Sequence, residues 1–284
     1  MIPTAQRELE LSILRGVDAH AHIYGGPEYG FAPNARFIPH PSQQGTARQF
    51  RAVLAAHGLT HALLVAAQPY GFDNSAMLDA IAASSGRFKG IVLANPGLSE
   101  ADMLDLSARG IVGLRVNLFA YGLRELTEPG AERMFALARE LGWILQVHYK
   151  GDGLIEALPA LRATGMRLLV DHLGRPVPSA GLRQRGYQAL LELGREGRAV
   201  VKLSGADRYS EAGLPWDDVD HYVAEAVRVF GLHNCVWGSD WPFVPGEERV
   251  DYGPVQACLS RWLPDEADRR TVLWETPSRL FGFS

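Results

Sequence analysis

Cysteine is scarce: the 284-residue chain carries two, Cys235 and Cys258. Two thiols so placed make neither a disulfide framework nor a CxxC redox or zinc pair, which fits a reducing cytoplasm. An excess of one charge is lacking too. Lys and Arg total 28 against 32 Asp and Glu, a formal net charge of −4, and no block of like charge offsets it. That argues against a nucleic-acid surface, while arginines converging locally still suit an anionic small molecule. No stretch approaches the roughly eighteen consecutive apolar residues of a membrane span. The first residues, MIPTAQRELELSILRG, mix charge into their apolar positions and lack the apolar core of a signal peptide. The expectation is a cytoplasmic protein with a small-molecule partner and neither nucleic acid nor membrane; oligomeric state stays open.

What is present is a rhythm. Apolar residues make up 47% of the chain and charged ones 21%, enough for a substantial core. Strand candidates fall at 14–22, 61–67, 90–95, 111–117, 143–149, 167–172, 199–205 and 235–241. Most are continuous apolar runs, as strands covered on both faces should be. Amphipathic helix candidates lie between and after them, at 46–57, 74–85, 99–109, 131–141, 152–164, 183–196, 217–230 and 251–262, with a terminal segment over 265–281. Caps such as Ser99 and closing glycines such as Gly110 and Gly142 punctuate the series. Eight strands alternating with eight helices, with no composition break, predict an α/β fold. The expected form is one (β/α)8 TIM barrel over 1–284 with an extra C-terminal helical segment. A doubly wound open sheet is the runner-up, but no GxGxxG or GxxxxGK[ST] follows the first strand.

A βα barrel carries its chemistry at the C-terminal ends of its strands. His20 and His22 end the first strand in VDAHAHIYGG, His148 ends the fifth, His172 the sixth, and Asp240 the eighth in GSDWP. Four of nine histidines at such ends, from independent strands, make a stronger signal than any one motif. Taken singly, each histidine could instead cap a strand or sit satisfied in the core. In an extended segment His20 and His22, two apart, point to one face. Asp171 precedes His172, so alternation directs it away from the site, into a structural or supporting role. Arg115 ends the fourth strand, Arg124 lies in the loop after it, Arg175 follows the sixth strand and Arg208 the seventh. Guanidinium forks match carboxylates bidentately, so they suggest an anionic substrate. Tyr149, beside His148, is a further pocket candidate.

This arrangement resembles the amidohydrolase superfamily. FAPNARFIP, DNSAMLDAIA, GIVGLRVN, VDHLGRP, VKLSGADRYS and VWGSDWP narrow the resemblance to the branch of 2-pyrone-4,6-dicarboxylate lactonase and related sulfomuconolactone and sugar-lactone hydrolases. The resemblance implies a hydrolase that opens an anionic lactone, with Asp240 as general base, as in aromatic catabolism. His20, His22, His148 and His172 would stabilise the oxyanion, and Arg115, Arg208, Arg124, Arg175 and Tyr149 would bind substrate. Sugar-acid lactone hydrolysis or isomerisation, or decarboxylation on a single metal, are alternatives on the same barrel; a non-catalytic organic-acid binder is another. For metals, HxH with His, His and Asp is ligand chemistry by type. Arg115 on strand four, a position that often bears a metal-bridging lysine in this superfamily, cannot ligate and argues against a binuclear centre. The expectation is catalysis without a required cofactor, the alternative being one Zn²⁺ on His20, His22 and Asp240.

Overall fold

The computed structural model describes residues 15–244, 246 and 249–284. Its strands lie side by side in chain order. They are β1 (Val17–Ala21), β2 (His61–Val65), β3 (Phe88–Leu93), β4 (Ile111–Asn117), β5 (Ile144–His148), β6 (Leu168–Val170), β7 (Ala199–Leu203) and β8 (Cys235–Trp237). Neighbours pair in parallel throughout. The two ends of the sheet meet through a parallel bridge of Ala21 with Trp241. There His22 N donates to Trp241 O, and Asp240 N to His20 O, each at 2.8 Å. The sheet thus curls into the expected (β/α)8 barrel.

After each strand comes a helix: α1 (Ala47–Ala56), α2 (Ser75–Ala82), α3 (Glu100–Ala108), α4 (Ala131–Glu140), α5 (Gly153–Ala163), α6 (Arg185–Arg195), α7 (Asp220–Phe230) and α8 (Tyr252–Trp262). Ser99 caps α3 as its sequence suggests, its side chain accepting from Asp102 N at 3.2 Å while the Asp102 carboxylate takes Ser99 N at 2.9 Å. The extra C-terminal segment forms turns of helix over Glu266–Arg270, Thr271–Glu275 and Thr276–Phe281. Phe281 and Phe283 then pack into the inner cluster of the barrel. No described helix is long and apolar enough to cross a membrane.

Strand periodicity builds the interior in layers. Leu63, Ile91, Ile144, Leu169, Val200 and Val236 share one apolar cluster inside the barrel. Two residues further along, β4, β5 and β7 supply Arg115, Gln146 and Lys202, and Asp171 follows β6; all four are buried. A polar layer therefore sits on the apolar one. Strand β1 departs from strict alternation: Asp18 pairs with Ala62 but Ala21 with Leu64, so β1 carries one extra residue. Val17 and Ala19 belong to the inner cluster, whereas Ala21 packs in the outer one among the helices. That bulge re-aims the strand end and brings both His20 and His22 to the barrel mouth. Gly238 permits the close seam: a Cβ there would lie 2.6 Å from His20 Cβ.

β6 and β8 are shorter than their apolar runs suggest, because the chain turns left-handed just beyond them. His172, Leu173 and Arg175 have φ of 50°, 51° and 49°, and Asp240 has φ of 64°. Such residues cost roughly 1–2 kcal/mol each and persist where the surroundings over-determine them, often at functional sites.

Asp18 locks the seam from outside the site. Its Oδ1 accepts from His20 N at 3.1 Å and Ser239 N at 2.9 Å, and its Oδ2 from the Tyr252 hydroxyl at 2.9 Å. Burial pushes its carboxyl up to about 6 despite these donors. Asp18→Ala leaves two backbone N–H groups and one hydroxyl without an acceptor, and is expected to cost about 2–4 kcal/mol in urea unfolding. A loss within experimental error would show that the seam closes without this carboxylate.

Candidate active site

Asp240 is the focus of the barrel mouth. Its Oδ1 lies 3.4 Å from His22 Nε2, 3.5 Å from His20 Nε2 and 3.9 Å from His172 Nε2. Its Oδ2 accepts from Arg208 Nε at 2.8 Å. The His20 ring stacks on His172 with centroids 4.7 Å apart and meets His22 edge-on at 5.1 Å. A cavity of about 220 Å³ opens above this cluster. His22, His148, His172 and Asp240 line it together with Arg115, Arg175 and Arg208, while His20 lies buried beneath.

The ionisation pattern follows from burial and neighbours. Burial alone would raise the Asp240 carboxyl, but Arg208 and the surrounding imidazoles outweigh it and hold the group well below the ordinary carboxylate range. Burial lowers His172 to about 4. It takes His20 and His148 well below their usual value, helped by Lys202 at His20 and by Arg115 at His148. At neutral pH the site thus presents an ionised carboxylate and neutral imidazoles at His20, His148 and His172.

Hydrogen bonds decide two of the tautomers. His148 Nδ1 lies 3.0 Å from Arg115 Nη2. Arginine only donates, so Nδ1 accepts and the proton of neutral His148 sits on Nε2. That Nε2 is buried and meets no partner among the described residues. His22 Nδ1 faces the Val65 carbonyl at 2.9 Å and therefore donates to it. Its Nε2 is left directed at Asp240.

Beneath this tier, Asp171 gathers the polar layer. Its Oδ2 accepts from Arg115 Nε at 3.2 Å, Arg115 Nη2 at 3.1 Å and Gln146 Nε2 at 2.9 Å. Its Oδ1 lies 3.2 Å from Lys202 Nζ and 3.3 Å from His20 Nδ1. The expectation that Asp171 points away from the site is corrected here. It assumed unbroken strand alternation, whereas the left-handed turn at His172 lets both residues reach the interior. Supporting is nonetheless what Asp171 does, since it touches His20 and Arg115 rather than the cavity. Lys202 and Gln146 went unnoticed in the sequence. The available signal was a charged or amide residue inside an apolar strand run, AVVKLSG and WILQVHY.

Not every candidate arrives at this cavity. Arg124 is exposed and pairs with Glu128 at 3.3 Å. It lines a neighbouring cavity of about 300 Å³ with Arg36 and Tyr121. The cause is the short helical turn Arg124–Thr127, which carries the side chain outward from β4. Tyr149 is buried and lies against Gly174, because alternation along β5 turns it to the face opposite His148. Arg175 does line the site, anchored through Nη2 on the Arg208 carbonyl at 2.9 Å.

His20, His22 and Asp240 could hold a metal ion, since donor atoms from each lie within 4.8 Å of one another. The separations of 3.4 and 3.5 Å from the two Nε2 atoms to Oδ1 fit the edge of a tetrahedron with bonds of about 2.1 Å. A second group, His20, Asp171 and His172, is similarly spaced. There Asp171 already meets the cations of Lys202 and Arg115.

Polar side chains gathered at the C-terminal mouth of a closed βα barrel are where this architecture performs its chemistry, and the molecule is a (β/α)8-barrel enzyme. Comparison with known proteins places it further. A family model described as amidohydrolase matches residues 17–283, and the chain belongs to that family. It is 31% identical over 272 residues to the 4-sulfomuconolactone hydrolase of Rhizobium radiobacter, covering 93% of this chain and 89% of that protein. It is 30% identical over 277 residues to the D-galactarolactone isomerase of Agrobacterium fabrum, covering 94% and 91%. The crystal structure of a probable 2-pyrone-4,6-dicarboxylic acid hydrolase from Acinetobacter baumannii, with citric acid bound, superposes with a TM-score of 0.85 at 29% identity. That match covers 95% of this chain and 100% of the other.

Proposed function

We propose that this enzyme hydrolyses a lactone bearing carboxylate or sulfonate groups, with Asp240 as general base. One observation carries the reading: an ionised carboxylate ringed by imidazoles shares its cavity with three arginines. Asp240 takes a proton from water as the water oxygen bonds to the lactone carbonyl carbon. The Nε2–H of His148, a residue that lines the cavity, has no partner among the described residues and stabilises the developing oxyanion. As the ring C–O bond breaks, Asp240 returns the proton to the leaving oxygen. Arg175 and Arg208 hold the anionic substituents and so fix the ring relative to Asp240. Arg115, tied to Asp171, orients His148 and adds positive potential. Lactone chemistry on anionic rings is in keeping with the relatives, which are named as hydrolases of sulfomuconolactone and pyrone dicarboxylate and an isomerase of galactarolactone.

A single divalent ion on His20, His22 and Asp240 would, when bound, polarise a carbonyl or acidify water. We propose that turnover does not require it. Arg208 already neutralises Asp240 at 2.8 Å, and Lys202 and Arg115 stand behind His20 and His148. A double positive charge would enter a site rich in cations.

The test is a panel of lactones assayed in H₂¹⁸O, after chelation and again with added Zn²⁺. Carboxylated or sulfonated lactones should open with incorporation of ¹⁸O, and neutral lactones of the same ring should be poorer by at least about tenfold, the worth of roughly 1.4 kcal/mol of anion contact. Equal rates on neutral lactones would remove the arginines from recognition. Isomerisation, as the galactarolactone relative performs, would proceed without ¹⁸O uptake.

A further inference from the structure

The proposed chemistry makes no direct use of Lys202, whose ammonium is completely buried in the barrel axis. Enclosing such an ion costs several kcal/mol unless each of its protons meets an acceptor. Three acceptors surround Nζ: Gln146 Oε1 at 2.8 Å, His20 Nδ1 at 3.2 Å and Asp171 Oδ1 at 3.2 Å. The Gln146 amide cannot turn, because its Nε2 donates to Asp171 Oδ2 at 2.9 Å; its oxygen therefore faces the lysine. The ammonium thus occupies the place a cation would take between His20 and Asp171.

This has a consequence for the first histidine of HAH. Two groups contend for His20 Nδ1, the Lys202 ammonium at 3.2 Å and the Asp171 carboxylate at 3.3 Å. A protonated Nδ1 would face an ammonium N–H head-on and deprive the buried lysine of its third acceptor. Nδ1 and Asp171 Oδ1 make no hydrogen bond at 3.3 Å, whereas Nδ1 and Lys202 Nζ do at 3.2 Å, and the other Asp171 oxygen is already bonded to Arg115 and Gln146. We propose that Lys202 is a positioning residue that holds neutral His20 with its proton on Nε2. His20 Nε2, buried 3.5 Å from Asp240 Oδ1 and without a hydrogen-bond partner among the described residues, then turns an N–H toward that carboxylate and not a lone pair to a metal ion. The HAH pair becomes unequal: His20 faces the carboxylate with an N–H dipole, and Lys202 is the reason this site disfavours a metal. The tautomer stands on geometry alone; its catalytic meaning rests on Asp240 acting as the base proposed above.

The experiment is a long-range ¹H–¹⁵N spectrum of the histidine-labelled enzyme at neutral pH, with His20 assigned through His20→Gln. The wild type should give a pyrrole-like Nε2 and a pyridine-like Nδ1 at His20. A pyridine-like Nε2 would overturn the proposal, whatever the variants do. In Lys202→Met the proton should move to Nδ1, now bonded to Asp171, and titration of the chelated protein with Co²⁺, read by its visible d–d bands, should show at least tenfold tighter binding than wild type. Unchanged Co²⁺ affinity in a folded Lys202→Met would equally overturn it. If the tautomer is as stated but no lactone is opened, the functional reading fails and the role of Lys202 stands; lactone opening with the opposite tautomer is the reverse case.

Discussion

Asp240→Asn should lower kcat by about 10²–10⁴-fold, the usual worth of a positioned general base, with binding of an anionic lactone kept or tightened. The asparagine keeps the shape of the side chain and an oxygen for Arg208 Nε, now at 2.8 Å, so the fold should hold. What it loses is basicity. It also removes the negative charge that competes with substrate for Arg208. Calorimetric Kd for the unreacted lactone, beside steady-state kcat, separates the two effects, and near-normal kcat would dismiss Asp240 as the base. The pH profile carries the same signature. The active form is the carboxylate, so activity is lost as pH falls through its pKa. Arg208 and the imidazoles hold that pKa well below the usual range. The acid limb of kcat/KM should therefore lie below about pH 4, the ordinary carboxylate value. An inflection well above pH 4 would mean that a group other than the Asp240 carboxylate titrates as the base.

Asp171→Ala should be the most damaging change to stability, about 3–5 kcal/mol in urea unfolding at pH 7, because it leaves buried cations without their anion. Arg115 would keep His148 as a partner, and Lys202 would keep Gln146 and His20. Neither retains a counter-charge at comparable distance among the described residues. The sign of the pH dependence follows. Burial alone would raise the Asp171 carboxyl, but Lys202, His20 and Arg115 prevail and hold it well below its ordinary value. Its contribution is complete above the unfolded pKa of about 3.9 and is lost as pH falls through the folded one. The gap between wild type and variant should therefore persist at pH 7 and narrow in acid. A difference under about 1 kcal/mol at pH 7 would mean that water or other groups serve the two cations.

Much of this molecule is legible in one dimension. The strand runs and amphipathic helices follow from side-chain periodicity, which the chain carries locally whatever it packs against. The C-terminal strand ends then nominate His20, His22, His148, His172, Arg115 and Asp240, all of which the barrel brings within one neighbourhood. Two kinds of residue escaped that reading. Arg124 and Tyr149 lie close in sequence to the ends of β4 and β5, but a helical turn and a strand face carry them elsewhere. Asp171 precedes His172, and the alternation that would separate the two is interrupted by a left-handed turn.

The sequence by itself therefore determined the barrel and the inventory of its mouth, since a period of two and the order of elements are short-range properties. Tertiary structure alone decided the partners. That Lys202 of β7 meets Gln146 of β5 and His20 of β1, or that Arg115 of β4 shares Asp171 with both, depends on closure of a sheet whose first and last strands are 200 residues apart in order of magnitude. Proton placement follows from those partners. A histidine's spacing says that it can donate, accept or ligate; only the charge standing behind its other nitrogen selects which.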